Sequence, residues 1–479
     1  FFFQAEDGIR DKLVTGVQTC ALPIWKELEA RQPKVEPEHD IAGIGRARQE
    51  GYAGIHRRLA ERRSEARRDD EFGPCFQRGI ELVLKEKMAR PEKNQWAFIN
   101  LPNGGATGTG LGVKFVQDHT MSSQELDKLA PNTPVLILSH PAYMTNSAGK
   151  KLIGEIYNAD PEKVVETDDQ GFGDLVEYAR SLMVDQYFGD KVPQLAEVVR
   201  KELEKNAAIG ITTFSSHITG LRFIDAYMQL VRSKTMPIRF GYTHYFGFEA
   251  NSDPVSFYTR LGDMAGMGSD FLWMTGVGLS NVDSGPPMFC STMPAPPEIK
   301  KREYCRNAPG TEFEKGVYAA IRARHRITVG HIYADKGLDY MFDTVERVMK
   351  DDPAITLDYI RSRRFSSDHC GFYPRPDQMP KIAHYNWMIS CNGSIVERSA
   401  PWLKTYGQQY AKWISPMRSL VNNGILTLYE NEESWGNPNS PDTYLQGAMF
   451  LLTRKTKDGA VLAPEEAIDK VTLMKMMTV

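Results

Sequence analysis

Much that would announce a function is scarce or missing in this 479-residue chain. The net charge is only -3, so no general pull toward nucleic acid or an anionic membrane is built in. No apolar run approaches the ~20 residues that a membrane helix needs. The six cysteines, at 20, 75, 290, 305, 370 and 391, contain no CxxC pair. That excludes a disulfide scaffold and makes reduced thiols the default. The loop in WAFINLPNGGATGTG (96–110) lacks both the GK[ST] ending of a phosphate-binding loop and a GxGxxG-to-helix context. It reads as a plain turn after a short strand. The opening stretch is not a signal peptide, because Glu6, Asp7, Arg10, Asp11 and Lys12 interrupt it.

What is present is ordinary for a globular protein: 41% hydrophobic and 25% charged residues. The length suits two or three domains, or one α/β barrel with insertions. Residues 4–11 and 14–24 look like the conceptual translation of a sequencing adapter, with Lys12-Leu13 at its variable position. Residues 1–24 are therefore set apart from the fold. Residues 25–75 hold Arg46, Arg48, Arg57, Arg58, Arg62, Arg63, Arg67 and Arg68. They read either as a solvated helix, interleaved with Glu61, Glu65, Asp69 and Asp70, or as translation out of frame.

From residue 76 onward, short β-rich runs alternate with helical stretches. The runs are 207–217, 238–244, 271–283, 326–331, 364–369, 386–394 and 424–432. Between them, Leu221, Ile224, Tyr227, Met228 and Val231 recur with a helical period, as do Leu338, Met341, Phe342, Val345 and Val348. Strands alternating with helices predict a parallel sheet. Seven runs are one short of a (β/α)8 TIM-type barrel, and an open doubly wound sheet is the rival.

The polar residues fall in a pattern. His217, His244, His331 and His369, with Asp283 and Glu432, each end an apolar run. In a (β/α)8 barrel those ends converge on the face that carries the active site. Imidazoles and carboxylates gathered there suit Zn2+ or a related divalent ion. His217 joins His331 and His369 as a candidate metal ligand, and His244 and Asp283 are candidate substrate contacts. The bland alternative for each is a polar residue entering a loop. Asn392-Gly393-Ser394 also matches a glycosylation sequon.

Several segments together resemble the YtcJ-like amidohydrolases. RITVGHIYADKGLDYMFDTVERV (326–348) is similar to their fifth-strand segment, and RSRRFSSDHCGFYPRPDQMP (361–380) to the next, with Asp368 in place of the usual Glu. GILTLYENE (424–432) resembles the last strand, with Glu432 where a catalytic Asp is usual. PVLILSHPAYMTNSAGKKL (134–152) and LLTRKTKDGAVLAPEEAI (451–468) resemble two further segments. The resemblance runs over residues 76–479. It implies a metal-dependent hydrolase of C–N bonds, of amide or N-substituted formamide type, on a distorted (β/α)8 barrel with a small β-sandwich. It further implies His331 and His369 as metal ligands, Glu432 as general base, His140 as a catalytic contact and Asn146 near the substrate. The cofactor would be a divalent metal, Zn2+ by preference. The partner would be a small amide-like molecule, with neither nucleic acid nor membrane involved, in a cytoplasmic protein that could self-associate as a homo-oligomer.

The departures from that family are specific. The His-x-His of its first barrel strand occurs nowhere in this chain, and the bridging Lys of some relatives would fall near Gly278. The expectation is a barrel lacking its first strand, with an inserted segment around 96–200, most of the β-sandwich missing and a truncated C-terminus. A barrel that binds a small molecule or partner without metal is the alternative. A two-carboxylate glycosidase using Asp283 and Glu432 is a third.

Overall fold

The computed structural model describes residues 72–89, 95–101, 111–118, 120–139, 142–157, 182–218, 220–246, 254–279, 282–283, 285, 289–301, 303–328, 330–431, 441–456 and 458–478. The chain divides into two compact units. The smaller comprises residues 6–93 and 97–149. Its three strands are β1 (Ala97–Asn100), β2 (Val135–Ser139) and β3 (Ala142–Thr145). β1 pairs parallel with β2, and β2 pairs antiparallel with β3. The run VLILS of β2 is buried at every position, because Phe76, Ile80 and Leu84 of the helix Phe72–Ala89 pack into the same core. These strands lie within the segment that the sequence reading took as an insertion.

The larger unit holds residues 150–479 with 1–5 and 94–96. It contains two four-stranded sheets, each parallel throughout. The first joins β4 (Thr213–Ile218), β5 (Arg239–Phe246), β6 (Leu272–Leu279) and β7 (Ile327–Thr328). The second joins β8 (Gly330–Ala334), β9 (Ser366–Phe372), β10 (Met388–Asn392) and β11 (Thr427–Glu430). Spatial order follows chain order without a reversal, so the switch point of a doubly wound sheet is absent from the described strands. A curled, barrel-like run of parallel strands is what this order makes. No described pairing joins β4 to β11.

Helices cover the sheets as the sequence periods require. In Asp335–Asp351, Leu338, Met341, Phe342, Val345 and Val348 are all buried. Each such side chain contributes roughly 1.5–3 kcal/mol by leaving water. The helix Leu221–Arg232 differs from its sequence reading: Leu221 is 70% exposed, and the fully buried positions are Ala226 and Leu230. Gly220 precedes that helix without a side-chain cap, and the carboxylate of Asp185 accepts from the N–H groups of Leu221 and Arg222 instead. Ile224, Tyr227, Met228 and Val231 of the expected stripe do pack against the core.

The thiols also correct the reading from spacing. Cys290 is joined to Cys305, and Cys370 to Cys391. Adjacent parallel strands β9 and β10 bring the second pair together, which spacing along the chain does not reveal. Asn392 is buried, and its Oδ1 accepts from the backbone N–H of Ser394 to cap a helix, so the sequon is no glycan site.

Candidate metal centre

Strand β9 is where the site begins. A regular strand points successive side chains to opposite faces. Asp368 and His369 nevertheless come together, with Oδ1 of Asp368 3.8 Å from Nε2 of His369. The cause is local: His369 has φ +75° and Cys370 φ +56°, two consecutive left-handed residues inside a strand. The register between β8 and β9 slips at the same place. Gly371 permits it, because a Cβ there would lie 2.4 Å from the carbonyl oxygen of Tyr333. Left-handed non-glycine backbone is costly and concentrates at functional sites.

The neighbouring strands add the rest. His331, opposite Asp368 in the β8–β9 register, places its ring 4.2 Å from that of His369, edge to face. Nδ1 of His331 lies 3.0 Å from the carbonyl oxygen of Asp283. A carbonyl can only accept, so Nδ1 carries the proton and Nε2 of the neutral ring keeps its lone pair. From β11, Oε1 of Glu430 lies 2.6 Å from Nδ1 of His369, and Oε2 accepts from the backbone N–H of His369 at 2.8 Å and from Oγ of Ser390 at 2.8 Å. A carboxylate on one ring nitrogen turns the other toward a metal. Burial pushes Glu430 up, but the charge of His369 and these hydrogen bonds outweigh it and hold the carboxyl below its ordinary range.

His217 of β4 belongs to the same neighbourhood. Its Nδ1 is 2.8 Å from Oγ1 of Thr243, and it feels the charges of His369 and Glu430. Burial, seconded by His369, lowers its pKa to about 3, so the ring is neutral near pH 7, the form that can ligate. Gly278 makes room for it: a Cβ there would stand 2.7 Å from Nδ1 of His217.

Asp368, His369 and Glu430 offer ligand atoms that all lie within 4.8 Å of one another. With His331 and His217 beside them, the donors are imidazole nitrogens and carboxylate oxygens, the set that Zn2+ and related divalent ions take. The residues fit such an ion, because Nδ1 of His331 and Nδ1 of His369 are each engaged by an oxygen acceptor that fixes the ring.

The other candidates divide into described and undescribed residues. Glu432 and His140 fall outside the described residues. His244 is described only by its backbone, opposite Ile218 and Val277 near the end of β5. Asn146 sits in the smaller unit and commits its side chain to the backbone. Its Nδ2 donates to the carbonyls of Ala130 and Thr133, and its Oδ1 accepts from the N–H groups of Val135 and Gly149. Asp283 is buried, and its carboxylate accepts from the N–H groups of Cys290, Tyr333 and Ala334. Burial pushes its pKa well up against those three bonds. It braces the strand that carries His331, which leaves the two-carboxylate glycosidase without its partner. Sequence reasoning missed Asp368 and Glu430 as donors. Glu430 was legible as a carboxylate near the end of the last strand-like run.

No protein-family model matches this chain, and no curated protein does. Solved structures do. A structure described as an uncharacterized metal-dependent hydrolase from Pyrococcus horikoshii OT3 is similar with a TM-score of 0.50 and 17% identity, over 81% of this chain and 72% of that one. A second, described in the same words, from Pyrococcus furiosus has a TM-score of 0.50 and 15% identity, over 83% and 74%. The shared property is the fold.

Proposed function

With the α/β fold of those hydrolases as premise, we propose that this chain is a metal-dependent hydrolase. Its substrates are small molecules with a C–N bond of amide or N-substituted formamide type, as in the YtcJ-like amidohydrolases, and its strands form a distorted (β/α)8 barrel. One observation carries the reading: His331, His369, Asp368 and Glu430 converge from three strands of one sheet, with Nδ1 of each ring held by an oxygen acceptor. When bound, a divalent ion supplies Lewis-acid chemistry and makes water a nucleophile near neutral pH.

The chain's own residues have separable tasks. His331 and His369 would hold the ion through their rings. Asp368 adds negative charge beside it. Glu430 orients the His369 ring and, once ionised, can take a proton from water at its Oε atoms. Tyr333, whose ring lies 4.9 Å from that of His369, walls the site with apolar surface and keeps bulk water back. The two disulfides weigh toward an oxidising compartment rather than the cytoplasm. No described helix is long and apolar enough to cross a membrane.

The alternative, a binding barrel without metal, draws on the hydrogen bonds that already occupy both Glu430 oxygens. One experiment decides. The purified chain is loaded with Zn2+, its bound metal is counted by elemental analysis, and hydrolysis of a panel of N-acyl and N-formyl compounds is followed. We expect about one tightly held ion, lost in His331→Ala and His369→Ala. Metal content that is nil, or indifferent to both substitutions, would sink the hydrolase reading.

A further inference from the structure

Arg454 is the second largest of the fully buried side chains, after Trp387, and among the described residues no salt bridge joins it to a carboxylate. Its guanidinium instead grips three backbone carbonyls: Nε donates to Leu462 at 3.0 Å, Nη1 to Ser415 at 3.0 Å and Nη2 to Ile414 at 2.7 Å. Ser415 is then tied to β9. Its N–H donates to the carbonyl of Cys370 at 2.9 Å, and its Oγ donates to the same carbonyl at 3.3 Å and to that of Asn392 at 3.4 Å. Cys370 directly follows His369. A continuous path of hydrogen bonds therefore runs from Arg454 through Ser415 to the left-handed turn that presents His369.

Backbone conformation marks the same path. Nine described non-glycine residues have positive φ. Lys234, Arg324, Arg364, Asn386 and Arg454 follow α-helices, the ordinary place for a left-handed residue. The other four are His369, Cys370, Ser415 and Ala463. Three of these lie on the path, and Ala463 is next to Leu462, which Arg454 holds at both its N–H and its carbonyl. Unfavourable backbone persists only where its surroundings over-determine it. Here the surroundings converge on one guanidinium, whose five N–H donors in a rigid fork suit several acceptors at once.

We propose that Arg454 is a positioning residue for the metal centre: acting through Ser415, it locks the His369–Cys370 turn so that Asp368 and His369 face the same side. The proposal rests on the reading of the centre given above. It adds a remote residue that touches neither substrate nor ion. A merely structural Arg454 would stabilise the whole unit without any particular effect on β9.

The test compares Arg454→Met, Arg454→Lys and Ser415→Gly with a destabilising control, Glu314→Gln, which weakens the buried carboxylate's bond to Arg347. The first readout needs no metal: hydrogen–deuterium exchange of the peptide 366–372 under native conditions. Arg454→Met should accelerate it by about tenfold or more, Arg454→Lys by less, and Glu314→Gln not at all. Ser415→Gly accepts the left-handed backbone and keeps the N–H bond but loses both hydroxyl bonds. Its expected acceleration is about threefold, and it carries the test should Arg454→Met fail to fold. The second readout is titration with Co2+ followed by visible absorption, where Arg454→Met should weaken affinity about tenfold, in the range of outer-shell partners. Unchanged exchange in 366–372, or equal acceleration in Glu314→Gln, overturns the proposal. So does accelerated exchange with unaltered Co2+ affinity. A parent chain that takes up no Co2+ sinks the metal reading instead, and the exchange data then decide alone whether Arg454 locks the turn.

Discussion

Two buried polar clusters of the larger unit answer the same electrostatic problem differently. Around Arg375, the carboxylates of Asp335, Asp339 and Asp377 share one guanidinium, and Asp335 also accepts from Ser291 and Thr292. Around His369, the carboxylate of Glu430 meets the ring, the backbone N–H of the same residue and the hydroxyl of Ser390, and that of Asp368 lies 3.8 Å from the ring. The first cluster carries its own permanent cation, which bonds all three carboxylates. The second sets its carboxylates beside imidazoles, and a divalent ion would add positive charge there. Acidic residues thus mean little until their counter-charge is identified.

The comparison can be broken at several points. The largest effect should come from Arg375→Ala, which strands the buried Asp335 and should cost about 3–5 kcal/mol in urea unfolding. Metal uptake per folded molecule should stay as in the parent chain; a joint loss would merge the two clusters into one. Ser390→Ala removes one hydrogen bond from Glu430. Metal affinity in a competition titration should fall roughly tenfold, with stability changed by no more than about 1 kcal/mol. Equal affinity would mean that Glu430 is held well enough by His369 alone. The smallest effect concerns acid. Asp377 is held below its ordinary value of 3.8, first by its hydrogen bond from Arg375. Its contribution is therefore fully present above that ordinary value and fades as pH falls through the lowered one, because the unfolded state takes up the proton first. Arg375→Ala should flatten that part of a stability-against-pH curve, and an unaltered slope would remove Asp377 from the account.

The fold was legible in the sequence where one period dominated. All seven strand-like runs after residue 200 contain described strands, and the stripe from Leu338 to Val348 is buried throughout. In the stripe beginning at Leu221, Ile224, Tyr227, Met228 and Val231 pack against the core, and only Leu221 in the first turn is exposed. The imidazoles were legible as strand residues. Asp368 was not, because period-two alternation assigns it and His369 to opposite faces, and only the left-handed turn defeats that rule. The disulfides and Arg454 were invisible for a simpler reason: partners 15 to 40 residues apart meet through strand register and loop closure, which no local pattern encodes.

Gly278 has a consequence for anyone who would re-engineer this centre. Grafting a lysine there, to bridge a second ion as some amidohydrolases do, would drive its first carbon into the ring of His217. The graft would displace a neighbouring imidazole before it offered any new ligand. A two-ion version would have to rebuild the packing between the middle strands of that sheet, not exchange a single letter.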